Sequence, residues 1–121
     1  VSQLLPKFKN KISGMAMNVP VANGSCVDLT TEMSSMPSIE EVNNAFQDAS
    51  ENDLTDLIRY TEDPIVSSDA IGGGETMVFD SKATMIASNK LLKTISWFDN
   101  GWGFANRILE LSESYNELES N

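Results

Sequence analysis

The sequence predicts an α+β fold. Three observations carry this: short β-prone segments separated by turn residues, one strongly signalled amphipathic helix start at Ser38, and a final stretch with apolar residues at helical spacing. Residues 1–11 (VSQLLPKFKNK) develop no regular pattern and read as a connecting segment. A strand is expected from Ile12 to Val19, ended by Pro20, which cannot donate to a ladder. Asn23-Gly24 is a turn dipeptide and, between two β-prone runs, a hairpin signal. From Ser25 to Met33, Cys26, Asp28, Thr30 and Glu32 alternate with Val27, Leu29, Thr31 and Met33, as in a half-buried strand.

The helix signal follows. Ser38 and Glu41 have the spacing of a capping box, Pro37 precedes them, and Glu40 and Glu41 place acids in the first turn. Ile39, Val42, Ala45, Phe46 and Ala49 then form one apolar stripe. After the polar break at residues 50–52, a short helical turn is expected around Leu54 and Leu57, and a strand from Ile58 to Tyr60. Residues 70–74 (AIGGG) read as a turn. Strands are expected over Glu75–Phe79, Ala83–Ala87 and Leu91–Phe98, although LLKTISWF also has the periodicity of a buried helix. From Gly103, the seam Phe104, Ile108, Leu111, Tyr115 and Leu118 marks the last helix. Glu110, Glu113, Glu117 and Glu119 put acids towards its carboxyl end, against the helix dipole, so that end should fray or meet a basic partner.

Composition bounds the function. A chain of 121 residues is one domain's worth, and 40% apolar with 21% charged residues is an ordinary folded balance. A net charge of −10 with eight basic residues argues against nucleic acid and against anionic membrane surfaces. No apolar run approaches the ~20 residues of a membrane span, nor does the amino terminus have the apolar stretch of a signal peptide. A single cysteine, Cys26, makes no internal disulfide, which suits the cytoplasm. The absence of histidine removes the commonest general base near neutral pH, and one thiol cannot build a zinc site, so no metal is expected.

Few side chains stand out as chemistry. Cys26 has no neighbouring base and is expected to be a buried structural thiol rather than a nucleophile. Gly72-Gly73-Gly74 neither follows a strand nor opens a helix as a phosphate loop does, and reads as a plain loop. The acids around Asp48–Asp56 and Glu62–Asp69 lack the calcium-loop pattern and read as solvated faces. The segment Ile95–Arg107, ISWFDNGWGFANR, holds two tryptophans, two phenylalanines, two glycines and two asparagines. Its Asn100 carries an amide able to match a carboxamide ligand reciprocally, but the residues alone favour a turn or helix-cap asparagine.

Four stretches in fixed order carry a resemblance: KISGMAMNVPVANGSCVDLT (11–30), YTEDPIVSSD (60–69), FDSKATMIASN (79–89) and LLKTISWFDNGWGFANRI (91–108). Together they resemble the carboxy-terminal part of phosphorylating glyceraldehyde-3-phosphate dehydrogenases. The resemblance implies a mixed, mainly antiparallel sheet with helices on one face. Residues 1–121 would be a partial catalytic domain, with 101–119 the helix that docks on the NAD-binding domain of the same enzyme. The opposite sheet face would meet another subunit in a homotetramer.

By the same resemblance Asn100 corresponds to the asparagine that holds the nicotinamide of NAD. Phe104 stands where a nearby tyrosine is usual, and Asn18 replaces a phosphate-binding arginine, losing its charged bidentate fork. The family's nucleophilic cysteine, its base histidine and its dinucleotide fold have no counterpart in these 121 residues, and Cys26 does not align with that cysteine. No catalytic residue is therefore assigned here, and the chain alone should be inactive. NADP is not excluded, because the ribose-reading acid belongs to the dinucleotide-binding domain. Two other readings remain: a related enzyme acting on erythrose 4-phosphate, and a non-catalytic interaction module that kept the fold.

Overall fold

Residues Leu91–Phe98 form the strand on which the sheet is assembled, because three other strands hydrogen-bond to it. The computed structural model describes residues 3–119, apart from the side chains of residues 117 and 119. In chain order the elements are β1 (Ser25–Glu32), α1 (Ile39–Glu51), β2 (Ile58–Thr61), β3 (Met77–Asp80), β4 (Met85–Ala87), β5 (Leu91–Phe98) and α2 (Trp102–Glu119). Short 3₁₀ turns occupy Pro6–Phe8, Ser67–Ala70 and Ser81–Ala83. The strand order is β1-β5-β3-β2, with β4 pairing the first half of β5 on its own account.

Three of the four pairings are antiparallel. β1 meets β5 along its whole length, from Ser25 opposite Phe98 to Glu32 opposite Leu91. β3 meets the far end of β5 at Val78–Trp97 and Phe79–Ser96, while β2 and β3 run parallel. This is the mixed, mainly antiparallel sheet that the resemblance implies. Directly opposed residues share a face, so Tyr60, Phe79, Ser96, Thr94, Leu92, Val27 and Leu29 lie on one side. Arg59, Val78, Asp80, Trp97, Ile95, Cys26 and Asp28 lie on the other.

α1 covers the first face at the β2–β3 end. Its start is fixed by the expected capping box, with Ser38 Oγ accepting from Glu41 N and the Glu41 carboxylate accepting from Ser38 N. Those bonds hold the Glu41 carboxyl below its ordinary value, the backbone amide of Ser38 contributing most. The apolar stripe then buries Val42 and stacks Phe46 on Phe79 at 3.8 Å between ring centroids, with the Tyr60 ring 6.1 Å from that of Phe79. Phe79 is completely buried and is the centre of the core.

A polar network ties the same layers together. Asn43 of α1 donates to Ser81 O at 3.2 Å and accepts from Thr84 Oγ1 at 2.8 Å. Ser81 Oγ donates to Thr61 O, closing β2 onto the turn after β3. The buried Asp80 carboxylate accepts from Ala83 N and from Trp97 Nε1 at 3.1 Å, joining β3 to β5 across the second face. Asp80, Ser81 and Thr84 are buried and each has a partner, the arrangement that avoids the cost of unpaired polar atoms.

Several expectations are corrected. Residues 12–19 form no strand, and the Asn23-Gly24 turn therefore closes no hairpin; its following residues pair with β5 instead. Strand preference is realised only against a partner strand, and among the described residues none pairs with 12–19. β1 alternates as expected but is not half-buried: Val27 and Leu29 are about half exposed, because α1 reaches only the other end of that face. Cys26, on the opposite face, is exposed rather than buried because β1 is an edge strand. The residues around Leu54 and Leu57 form turns rather than a helix. The strand expected over Ala83–Ala87 begins at Met85, the preceding residues being the 3₁₀ turn. Of the connecting segment, residues 3–11 are described; of the acids at the end of α2, the side chains of Glu117 and Glu119 lie outside the described residues.

Candidate functional site

The junction between β5 and α2 is organised by Asp99. Its residue type and place, just before a helix, are those of an N-cap. Oδ1 accepts from Gly101 N and from Trp102 N, both at 3.0 Å, while its main-chain oxygen accepts from Gly103 N. Oδ2 accepts from Gly72 N at 3.1 Å and from Asn23 Nδ2 at 3.3 Å. One buried carboxylate therefore fastens three stretches: the 23–24 turn, the glycine-rich loop and the first turn of α2. The Trp102 amide, then the Gly72 amide, hold its carboxyl below the ordinary aspartate value, with Gly101 and Asn23 adding to them against the opposing effect of burial.

The surrounding backbone is built for close approach. Gly24 has φ of +88°, and a Cβ there would sit 2.6 Å from Ser67 O. At the start of α2, Gly103 is buried against the residues leading into β3, where a Cβ would meet Glu75 O at 3.0 Å. Arg107, one turn later, donates to Gly74 O at 3.1 Å and to Asp56 O at 3.3 Å, and pairs with Glu110. The glycine-rich loop is thus a loop, as expected, and serves to bring backbone groups within reach of Asp99 and Arg107.

Asn100 follows Asp99 directly and is exposed. Its side-chain amide makes no hydrogen bond within the described residues, so both its donor and acceptor positions are open. The cap is Asp99 and Asn100 stands in the turn just before α2, so the turn reading of Asn100 holds and the helix-cap reading is corrected. Phe104 lies one turn further on and is about two-thirds exposed. Asn18 is exposed in the irregular 12–20 segment, and no described hydrogen bond joins it to Asn100. The structure therefore places Asn100 and Phe104 in the same first turns of α2 and leaves Asn18 separate from them in the bonding network. An open cleft of about 490 Å³ lined by Gln47, Ser50, Arg59, Tyr60 and Glu75 among others includes none of the three.

Past Arg107, α2 turns its seam to solvent. Phe104, Ile108, Leu111, Tyr115 and Leu118 are all about half exposed or more, as are Trp102 and Leu109. No described helix is long and apolar enough to cross a membrane. Asp99, Asn23, Gly72 and Arg107 were not singled out from the sequence as functional positions. The N-cap preference of aspartate was the available signal for Asp99, but its bonds to Asn23 and Gly72 span 76 and 27 positions and have no local signature.

Comparison with known proteins agrees with this organisation. Residues 1–100 match the family model described as glyceraldehyde 3-phosphate dehydrogenase, C-terminal domain. Glyceraldehyde-3-phosphate dehydrogenase 2 of Streptomyces avermitilis is 44% identical over 109 residues, covering 90% of this chain and 32% of that protein. The glyceraldehyde-3-phosphate dehydrogenase of Cochliobolus heterostrophus is 39% identical over 121 residues, covering all of this chain and 36% of the relative. That of Priestia megaterium is 41% identical over 113 residues, or 93% and 34% of the two chains. The chain spans about a third of the length of the curated relatives it matches. It belongs to the glyceraldehyde-3-phosphate dehydrogenase family, and its sequence falls within that family's C-terminal domain.

Proposed function

We propose that this chain is the part of a phosphorylating glyceraldehyde-3-phosphate dehydrogenase that frames the catalytic sheet and contacts the nicotinamide. The nucleophile and the base come from residues outside these 121. The observation that carries the reading is Asn100: an exposed, internally unpartnered amide beside a junction that the buried Asp99 fixes with four hydrogen bonds. Such an amide can give and receive one hydrogen bond each with the carboxamide of a nicotinamide, which fits NAD, and equally NADP. The nicotinamide, when bound, supplies the hydride acceptor. Asn100 orients its ring, and the ring of Phe104 adds apolar surface nearby without the hydroxyl of a tyrosine. Asn18 would touch a phosphate through a neutral amide.

The whole enzyme, on this reading, converts glyceraldehyde 3-phosphate, NAD and phosphate to 1,3-bisphosphoglycerate in the cytoplasm. The exposed seam of α2 supports docking on the NAD-binding domain, since contiguous apolar surface of that kind calls for a partner. The sheet face opposite α1, which carries Cys26, Asp28 and Ile95, would meet another subunit in a homo-oligomer, a tetramer in the family. The absence of histidine and the exposed, edge-strand position of Cys26 support an inactive isolated chain. Purified chain mixed with NAD, phosphate and glyceraldehyde 3-phosphate is expected to form no NADH above background. Sustained NADH formation abolished by Cys26→Ala would show that the chain carries its own nucleophile and would overturn the proposal.

A further inference from the structure

A helix cap needs only the two bonds that Asp99 Oδ1 accepts from Gly101 and Trp102. The two bonds at Oδ2 do nothing for the helix itself. They bring Gly72 and Asn23 onto the carboxylate from other parts of the chain. Asn23 is in turn held from behind. Its Oδ1 accepts from Gly24 N at 2.7 Å, and Gly24 lies against Ser67, leaving no room for a side chain. The peptide of Asn100 is the first beyond this knot, and nothing else in the described structure holds its side chain.

We infer that Asp99 and Asn23 are a positioning pair for Asn100, fixing the first turn of α2 against the 23–24 turn so that the Asn100 amide is held in one place. The purpose of that placement rests on the reading of Asn100 as the nicotinamide contact. Positioning matters on this scale because a displacement of about 1 Å at a reacting centre costs roughly a hundredfold in rate. The pair also gives the asparagine at position 23 a use: its one amide accepts from Gly24 and donates to Asp99 together.

The test uses amide hydrogen exchange by NMR on the isotope-labelled chain, comparing Asn23→Ala and Asn23→Asp. Among the described hydrogen bonds, the Asn23 side chain reaches the start of α2 through Asp99. Asn23→Ala is therefore expected to lower protection at Gly101 and Trp102 roughly tenfold, the equivalent of one lost bond to a charged group. Val42 and Phe46 in α1 should keep theirs. Asn23→Asp keeps the acceptor for Gly24 N but sets a second carboxylate, in place of the donor, against Asp99 Oδ2, and should lower that protection at least as much. Equal loss in α1 and α2, or unchanged protection at Gly101 and Trp102 in either variant, would overturn the pair. In the chain joined to the amino-terminal two-thirds of the Priestia megaterium relative, added NAD should shift the Asn100 side-chain amide signal, and shift it less with Asn23→Ala. Absence of any shift in the fusion that keeps Asn23 counts against the nicotinamide reading alone, while the exchange data still decide the positioning pair.

Discussion

Replacing Phe79 by alanine is expected to cost about 3–5 kcal/mol of stability, the range for truncating a fully buried aromatic. Among the described residues Phe79 is the one large side chain with no exposed surface, and its ring stacks on Phe46 and lies near that of Tyr60. Its removal takes away the ring on which α1 rests, and helix and sheet cannot both move to fill the gap because Asn43, Ser81 and Thr84 hold them at fixed spacing. A domain of this size holds roughly 5–15 kcal/mol in total, so the variant should be largely unfolded at modest denaturant. Urea unfolding followed by tryptophan fluorescence and by helical circular dichroism reads this. A midpoint shift worth under about 1 kcal/mol would mean that Phe79 is not the centre of the core.

Gly24→Ala is expected to have an effect of similar size by a different route. Its φ of +88° is a conformation that residues with a Cβ adopt at a cost of about 1–3 kcal/mol. The added Cβ would also fall 2.6 Å from Ser67 O and 2.8 Å from Ser67 Cβ, and the first of these is main chain that cannot rotate away. The turn must shift, and with it Asn23, so the Asn23–Asp99 bond is lost as well. A loss on the order of 3 kcal/mol follows, with weakened protection at Gly101 and Trp102. Gly14→Ala is the control, since a Cβ there meets nothing within 4 Å. Equal stability of the two variants would contradict the account of the turn.

What the sequence reveals of this fold follows the range of the interactions involved. The α1 start was legible because Ser38 and Glu41 satisfy each other within one turn. β5 was legible because LLKTISWF is β-prone along its whole length and bounded by Asp99-Asn100-Gly101. The segment 12–19 misled because alternation reports the preference of a strand, whereas a strand exists only where another is paired to it. Cys26 misled likewise: its alternation pattern said which neighbours share its face, but not that the face is left uncovered at that end. In the site, Asn100 was legible through resemblance alone. Asp99, which orders the site, was hidden because two of its four side-chain bonds come from residues far away in the chain.

The central claim is that Asn100 holds the nicotinamide while the reacting groups come from elsewhere in the enzyme. The most direct measurement joins this chain to the amino-terminal two-thirds of the Priestia megaterium relative and follows NADH formation with Asn100 and with Asn100→Ala. The asparagine form is expected to turn over. The alanine form should lose roughly tenfold or more in kcat/KM for NAD, since one hydrogen-bonding amide contributes on the order of 1.4 kcal/mol. Equal kcat/KM for NAD in the two active fusions would contradict the account.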